Sequence, residues 1–210
     1  MRCGHQVRPA RPIIVRGIAD LQTIGGVSAL FIATKTTAIP DIAAELAPLM
    51  ARIGAQPAAP FIVSYQNGIE PGRQLRDTLN DPRVVRMVIN FGVGIDPDTG
   101  EARVQLDHPP HAVGAIEPAH APVCRQIAEL LTRAGHPTVV TPDIEREVWA
   151  KAVMNAAMGP VAALVNTTIG QVMSSPARGI VERLLTEAID VARAEGIDLG
   201  ADYRRHVDAA

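Results

Sequence analysis

DIEREVWAKAVMNAAMGPVAAL, residues 143–164, opens the last third of the chain with a helical pattern. Its apolar residues recur at the helical period and form one stripe, made of Ile144, Val148, Ala152, Val153 and Ala156. Thr141-Pro142 predicts an N-cap followed by a proline in the first turn. Gly159-Pro160 predicts that this helix ends near Met158, because proline interrupts a helix interior.

The helical pattern continues beyond this stretch. Residues 178–195 form a second amphipathic pattern, and Gly196 is suited to end that helix. We therefore expect residues 142–210 to be entirely helical.

Two polar side chains of the first helix are spaced for joint use. Lys151 and Asn155 are four positions apart and so point the same way from the helix. A lysine beside an apolar face in a cleft has a lowered pKa, which suits a proton donor to a ketone oxygen. An asparagine one turn away can donate to and accept from a substrate hydroxyl. On spacing alone a structural role is favoured, since Glu147 is placed to form a surface ion pair with Lys151.

Residues 1–141 alternate short apolar runs with helical patterns. Strands are predicted over 29–34, 61–65, 84–93, 102–106, 112–116 and 139–140, and helices over 41–53, 72–79 and 121–133. Asp96 to Gly100 reads as a tight turn between strands. Apolar strands separated by helices indicate a parallel α/β sheet, so the chain divides into an α/β part, 1–141, and a helical part, 142–210.

Polar residues follow two of the predicted strands. Lys35 comes directly after the first strand, and Gln66-Asn67-Gly68 comes after the second. Open α/β sheets bind ligands outside the carboxyl ends of their strands, so both segments are candidate ligand contacts. Each also has a plain structural interpretation, as a solvated lysine and as a turn.

Composition narrows the class of protein. The 210 residues are 47% hydrophobic and 20% charged with a formal charge of -2, which argues against disorder and gives no reason to expect a nucleic-acid or membrane-surface partner. No apolar run is long enough to span a membrane. Cys3 and Cys124 have no metal or redox spacing and are expected to be reduced thiols, so a cytoplasmic protein without a metal site is predicted.

These segments together resemble the ketopantoate reductase (2-dehydropantoate 2-reductase) family. The resemblance is carried by a Trp-x-Lys-x-x-x-Asn helix, a Pro-x-x-Ala-Leu segment, a later glycine, a strand ending in lysine and a Gln-Asn-Gly turn. Here these are Trp149, Lys151 and Asn155, Pro160 to Leu164, Gly170, Lys35 and residues 66–68. It covers residues 13–200 approximately.

The resemblance implies a partial Rossmann-type domain followed by a helical domain like that of 6-phosphogluconate dehydrogenase. It implies NADP-dependent reduction of a 2-oxo acid, 2-dehydropantoate to pantoate, in pantothenate and coenzyme A biosynthesis. By resemblance Lys151 is the proton donor, Asn67 and Asn155 contact the substrate, and Lys35 and Asn67 contact the cofactor. A homodimer is a possible assembly.

The sequence departs from this family at both ends and at two positions between them. The opening Gly-x-Gly-x-x-Gly turn, which holds cofactor phosphates, is missing, and the chain stops at Ala210, before the helices that carry further substrate and cofactor contacts in the family. Both domains are therefore expected to be incomplete. Gly159 and Ile169 stand where the family often has asparagines, which weakens the case for ketopantoate itself as the substrate and leaves another 2-oxo acid as a candidate. Two alternatives remain open: a truncated, non-catalytic family member or gene fragment, and a relative of the β-hydroxyacid dehydrogenases.

Overall fold

The computed structural model describes residues 14–23, 27–53, 60–204 and 207. The predictions about Cys3 and the first twelve residues lie outside them. The strands are β1 (Ala29–Ile32), β2 (Phe61–Ser64), β3 (Val84–Val88), β4 (Phe91–Ile95), β5 (Ala102–Asp107), β6 (His111–Ala115) and β7 (Thr138–Val140). The α-helices are α1 (Ile39–Ile53), α2 (Pro71–Leu79), α3 (Ala121–Arg133), α4 (Ile144–Leu164), α5 (Ile169–Met173) and α6 (Arg178–Ala194).

Five strands form the main sheet, in the order β1-β2-β3-β6-β7. All neighbours pair in parallel except β3 and β6, which are antiparallel. Ile32 pairs with Ser64, and Ser64 pairs with Arg86, so the carboxyl ends of β1 and β2 meet the middle of β3. A parallel-dominated α/β sheet followed by helices is the predicted fold class, and it is confirmed.

The predicted strand over 84–93 is two strands, so that prediction was wrong. β3 ends at Val88 and β4 begins at Phe91, where the chain leaves the main sheet to form a separate hairpin with β5. Asn90 is held at the break, because its backbone N–H donates to His111 Nδ1 at 3.1 Å and its side chain donates to Pro110 O at 3.0 Å. The predicted turn at Asp96 connects β4 to β5.

Helix α4 begins and ends later than predicted. Its N-cap is Asp143, whose carboxylate accepts from the backbone N–H of Arg146 at 3.0 Å. Thr141 lies two residues earlier, and its hydroxyl accepts from the backbone N–H of Asp143. The helix also continues through Pro160 to Leu164. Met158, Val161 and Ala162 are buried in the helical core, which stabilises the turns around the proline.

Helix α5 was not predicted from the sequence. Helix α5 is short and begins with a capping box, in which Thr168 and Gln171 satisfy each other's backbone N–H groups. Helix α6 matches the predicted amphipathic segment, and Gly196 follows it with a φ of +81°, a conformation that favours glycine.

Helices cover both faces of the sheet, and a third set of contacts joins the sheet to the helical part. Helices α1 and α2 pack on one face around Leu46, Ile62 and Leu75, and α3 packs on the other face. The junction core consists of Val88, Ala112, Ile144 and Val148. It brings the first turns of α4 against β3 and β6, and so positions the rest of α4 beside the carboxyl ends of the strands.

The structure also bears on three expectations from the sequence, which concern the thiol, a membrane span and a metal site. Cys124 is a free thiol in the core, and burial raises its pKa to about 11. In the described part of the chain no helix is long and apolar enough to cross a membrane. The described residues also contain no cluster of His, Cys, Asp and Glu side chains suited to a metal ion.

Candidate active site

The segments that follow β1 and β2 are tied together at the sheet edge. Gln66 Nε2 lies 3.4 Å from both Thr34 Oγ1 and Lys35 O. The hydroxyl of Thr36 donates to the backbone carbonyl of Asn67 at 3.1 Å. The Gln-Asn-Gly turn is therefore fixed against the segment that carries Lys35.

Lys151 reaches this turn from helix α4. Its Nζ donates to Asn67 Oδ1 at 3.1 Å and to the backbone carbonyl of Ile89. Glu147, the alternative partner suggested by spacing, lies instead 3.7 Å from Arg146. The predicted surface ion pair between Glu147 and Lys151 is therefore wrong. The lysine amine is held instead between the turn and the end of β3.

The surroundings of Lys151 act against its charged form. Burial lowers the pKa of its amine, and the positive charge of Arg86 lowers it further. An amine shifted in this direction releases its proton more readily than an exposed lysine does.

Arg86 is the functional candidate that the sequence pattern did not reveal. It is the third residue of β3 and only 4% exposed. Its guanidinium donates to three backbone carbonyls: Ser64 O and Met87 O, both at 2.9 Å, and Gly68 O at 3.0 Å. Burial lowers the pKa of Arg86 to about 10, partly opposed by Glu145, so Arg86 remains charged at neutral pH. The available signal was a lone arginine within an apolar strand.

A small cleft brings most of the candidate residues together. It is lined by Gln66, Asn67, Gly68, Arg86, Met87, Val88, Ile89, Val148, Lys151, Ala152 and Asn155. Asn155 is exposed and lies one turn beyond Lys151. Lys35 does not line the cleft. Its side chain is exposed, and its backbone carbonyl is what contacts Gln66.

This arrangement combines an amine of lowered pKa with groups that can orient a ligand. An ammonium and an amide lie within hydrogen-bonding distance, and a second cation is buried beside them. The cleft therefore suits a small anionic substrate whose carbonyl oxygen takes a proton.

Models of two protein families match the chain. The family described as ketopantoate reductase PanE/ApbA matches residues 5–114, and the family described as its C-terminal part matches residues 143–210.

Curated relatives described as 2-dehydropantoate 2-reductases are similar in sequence over about two thirds of the chain. The 2-dehydropantoate 2-reductase of Pyrobaculum aerophilum is 30% identical over 139 residues, which are 65% of this chain and 45% of the relative. That of Streptococcus pyogenes serotype M3 is 24% identical over 147 residues, 67% of this chain and 46% of the relative. The chain thus spans about half the length of these relatives.

Solved structures share the fold. A PanE/ApbA family ketopantoate reductase from Ralstonia eutropha superposes with a TM-score of 0.71 at 21% identity, over 90% of this chain and 59% of that one. A dimeric ketopantoate reductase from Staphylococcus aureus gives 0.65 at 19% identity, over 96% and 69%. A D-mandelate dehydrogenase in complex with NADH gives 0.73 at 14% identity, over 88% and 60%.

Proposed function

This chain belongs to the ketopantoate reductase PanE/ApbA family, as its resemblance predicted, and on that premise we propose that it carries the proton-transfer site of an NADP-dependent 2-oxo acid reductase. The reaction is the reduction of 2-dehydropantoate to pantoate. The observation that supports this most strongly is the placement of Lys151 Nζ between Asn67 Oδ1 and Ile89 O, in a cleft at the carboxyl ends of the strands.

The chain's own residues divide the work of the reaction. The Lys151 ammonium donates a proton to the substrate carbonyl oxygen as the alcohol forms. Asn155 and Asn67 hold the substrate's polar groups, which fixes the carbonyl near the ammonium. The buried charge of Arg86 favours an anionic substrate in the cleft. Aliphatic side chains of Val88, Ile89 and Val148 limit access of water.

The cofactor would lie at the same sheet edge. Gln66 Oε1 is buried without a hydrogen-bond partner among the described residues, and it is an acceptor suited to the carboxamide of a nicotinamide. Asn67 and Lys35 follow the strands on either side and would hold the nicotinamide end. When bound, the reduced nicotinamide supplies the hydride for the carbonyl carbon. No described residue is assigned to the phosphates, because the sequence lacks a Gly-x-Gly-x-x-Gly turn.

The organisation of the chain follows from this assignment. Residues 1–141 are the dinucleotide-binding part and residues 142–210 the substrate part, with the cleft at their junction. Assembly with a second copy is part of the proposal, since a similar structure is that of a dimeric reductase.

A related 2-oxo acid is the second candidate substrate. Gly159 and Ile169 occupy positions where the resemblance predicts asparagines, and a D-mandelate dehydrogenase shares the fold. A bulkier or more apolar 2-oxo acid needs fewer amide contacts, so a panel of such acids should accompany 2-dehydropantoate in every assay.

The test has two steps. NADPH is first titrated into the protein while its fluorescence is followed, and saturable binding is expected. NADPH consumption is then measured with 2-dehydropantoate for the wild type and for Lys151→Met. Loss of the proton donor should lower kcat by ~10²–10⁴-fold while binding of NADPH persists. Arg103→Met, on the exposed hairpin strand β5, is the matched control and should leave kcat unchanged.

Two results would overturn the proposal. Absence of saturable NADPH binding would favour a non-catalytic family member. Full activity of Lys151→Met would show that Lys151 is not the proton donor.

A further inference from the structure

Arg86 makes contacts that a charged residue in a strand interior rarely makes. Its guanidinium bonds to one carbonyl at the end of β2, one in the Gln66–Gly68 turn and one in β3. A planar guanidinium with five N–H donors can join three carbonyls in this way, whereas an ammonium is a compact point charge. The side chain therefore cross-links the turn to the neighbouring strand.

The fold makes space for this side chain. Gly72, in the first turn of α2, would place a Cβ only 3.1 Å from Arg86 Cδ and 3.0 Å from Ile116 Cδ1. A larger residue at position 72 would require the arginine stem or Ile116 to give way by a few tenths of an ångström. Helix α2 thus packs directly on the residue that fixes the turn.

The turn in question carries the partner of Lys151. Asn67 lies between Gln66, whose amide contacts Lys35 O, and Gly68, whose carbonyl accepts from Arg86. The side-chain oxygen of Asn67 accepts from Lys151 Nζ at 3.1 Å. Displacing the turn would remove an acceptor that stabilises the ammonium.

We propose that Arg86 is a positioning residue for the reaction: it holds the Gln66–Gly68 turn against β3 and keeps Asn67 in hydrogen-bonding contact with Lys151. This inference rests on the proposed function, in which Lys151 is the proton donor. Arg86 does so without touching the reacting atoms.

Several charged or titratable groups lie around Lys151, and the test must leave their charges unchanged. Arg86 faces it from β3 and His111 from β6, and burial lowers the pKa of His111. Glu147 lies on the same helix one turn away, and Glu145 lies near Arg86. A useful variant must therefore remove the three-way hydrogen bonding of Arg86 and keep a basic side chain, which Arg86→Lys does. The signal of the introduced lysine shows the pH range over which its charge is kept.

The chain offers a direct readout, because it contains only two lysines, Lys35 and Lys151. Protein labelled with ¹³Cε-lysine gives one signal for each lysine. The signal of Lys151 is the one that disappears in Lys151→Arg. The titration of the Lys151 signal with pH reports its contacts without any need for turnover.

Arg86→Lys and Asn67→Ala should each move this titration to lower pH, because both remove the same acceptor from the ammonium. The double variant should move it no further than Asn67→Ala alone, since Arg86 acts through Asn67. Arg103→Lys on the exposed hairpin adds a lysine signal in the same way and should leave the Lys151 titration unchanged. In the reductase assay, Arg86→Lys should lower kcat more than it changes KM.

An unchanged Lys151 titration in Arg86→Lys would overturn the proposal, as would additive shifts in the double variant. If a thermal melt shows that Arg86→Lys does not fold, Gly72→Ala presses a methyl group against the arginine stem without altering charge, and a smaller shift in the same direction is expected. If the predicted shifts are seen but the wild type shows no turnover, the proposed reaction is wrong. The role of Arg86 in holding Asn67 against Lys151 is then still supported.

Discussion

Lys151 combines burial, a neighbouring cation and two hydrogen-bond acceptors around one amine. The first two lower its pKa, and its ammonium is the form that donates a proton. With Lys151 as the proposed proton donor, the proposed reductase activity should therefore be retained at low pH and lost as pH rises through this lowered pKa.

The corresponding measurement is kcat as a function of pH for the reduction of 2-dehydropantoate. Its alkaline limb should fall below the range of an unperturbed lysine, about 10.4. Asn67→Ala should move that limb to still lower pH. A limb that coincides with the unperturbed range would contradict the proposed environment of the donor.

Three of the four predicted site residues meet in one cleft, and the reasons differ. Helical spacing placed Lys151 beside Asn155, and the position after a parallel strand placed Asn67 at the sheet edge. Lys35 follows a strand too, yet the strand's end fixes only its backbone, so its side chain is exposed. Arg86 could not be predicted, because its partners are backbone carbonyls whose positions depend on the folded sheet.

At the scale of elements, periodicity predicted where helices and strands lie better than where they begin and end. The apolar run over 84–93 does not record that the chain leaves the sheet at Asn90, which depends on distant His111 and Pro110. Thr141-Pro142 resembled a helix start, but the carboxylate of Asp143 caps the helix. Pro160 suggested an end, but burial of the following turn outweighs the missing hydrogen bond.

The cap of α4 gives a prediction about stability. Asp143→Ala leaves a backbone N–H at the helix start without its acceptor and should lower the free energy of unfolding by ~1 kcal/mol. Thr141→Ala should cost less, since that hydroxyl bonds only to the turn before the helix. Urea unfolding measures both. If Thr141→Ala lowers the free energy of unfolding by more than Asp143→Ala does, Thr141 rather than Asp143 is the N-cap.

At the scale of the whole molecule, the sheet and the helical part have separate cores joined by a small junction core. Layered α/β packing followed by helices was predictable because it depends on runs of apolar residues. The junction was not predictable, because Val88, Ala112, Ile144 and Val148 come from three separate parts of the sequence.

The junction core should determine whether the molecule unfolds as one unit. Ile144→Ala removes its largest side chain, should cost ~2–5 kcal/mol, and should separate the calorimetric transition into two. Val181→Ala, buried within the helical core, should lower the melting temperature without separating the transition. A single transition in Ile144→Ala would show that other contacts couple the two parts.

The number of N–H donors on the Lys151 ammonium also matters. A protonated amine carries three N–H bonds, and the turn and the end of β3 accept two of them. One hydrogen therefore remains for an incoming oxygen. Helix α4 can engage a reactant while it stays attached to the sheet, so the proposed proton transfer requires no separation of the two halves of the molecule.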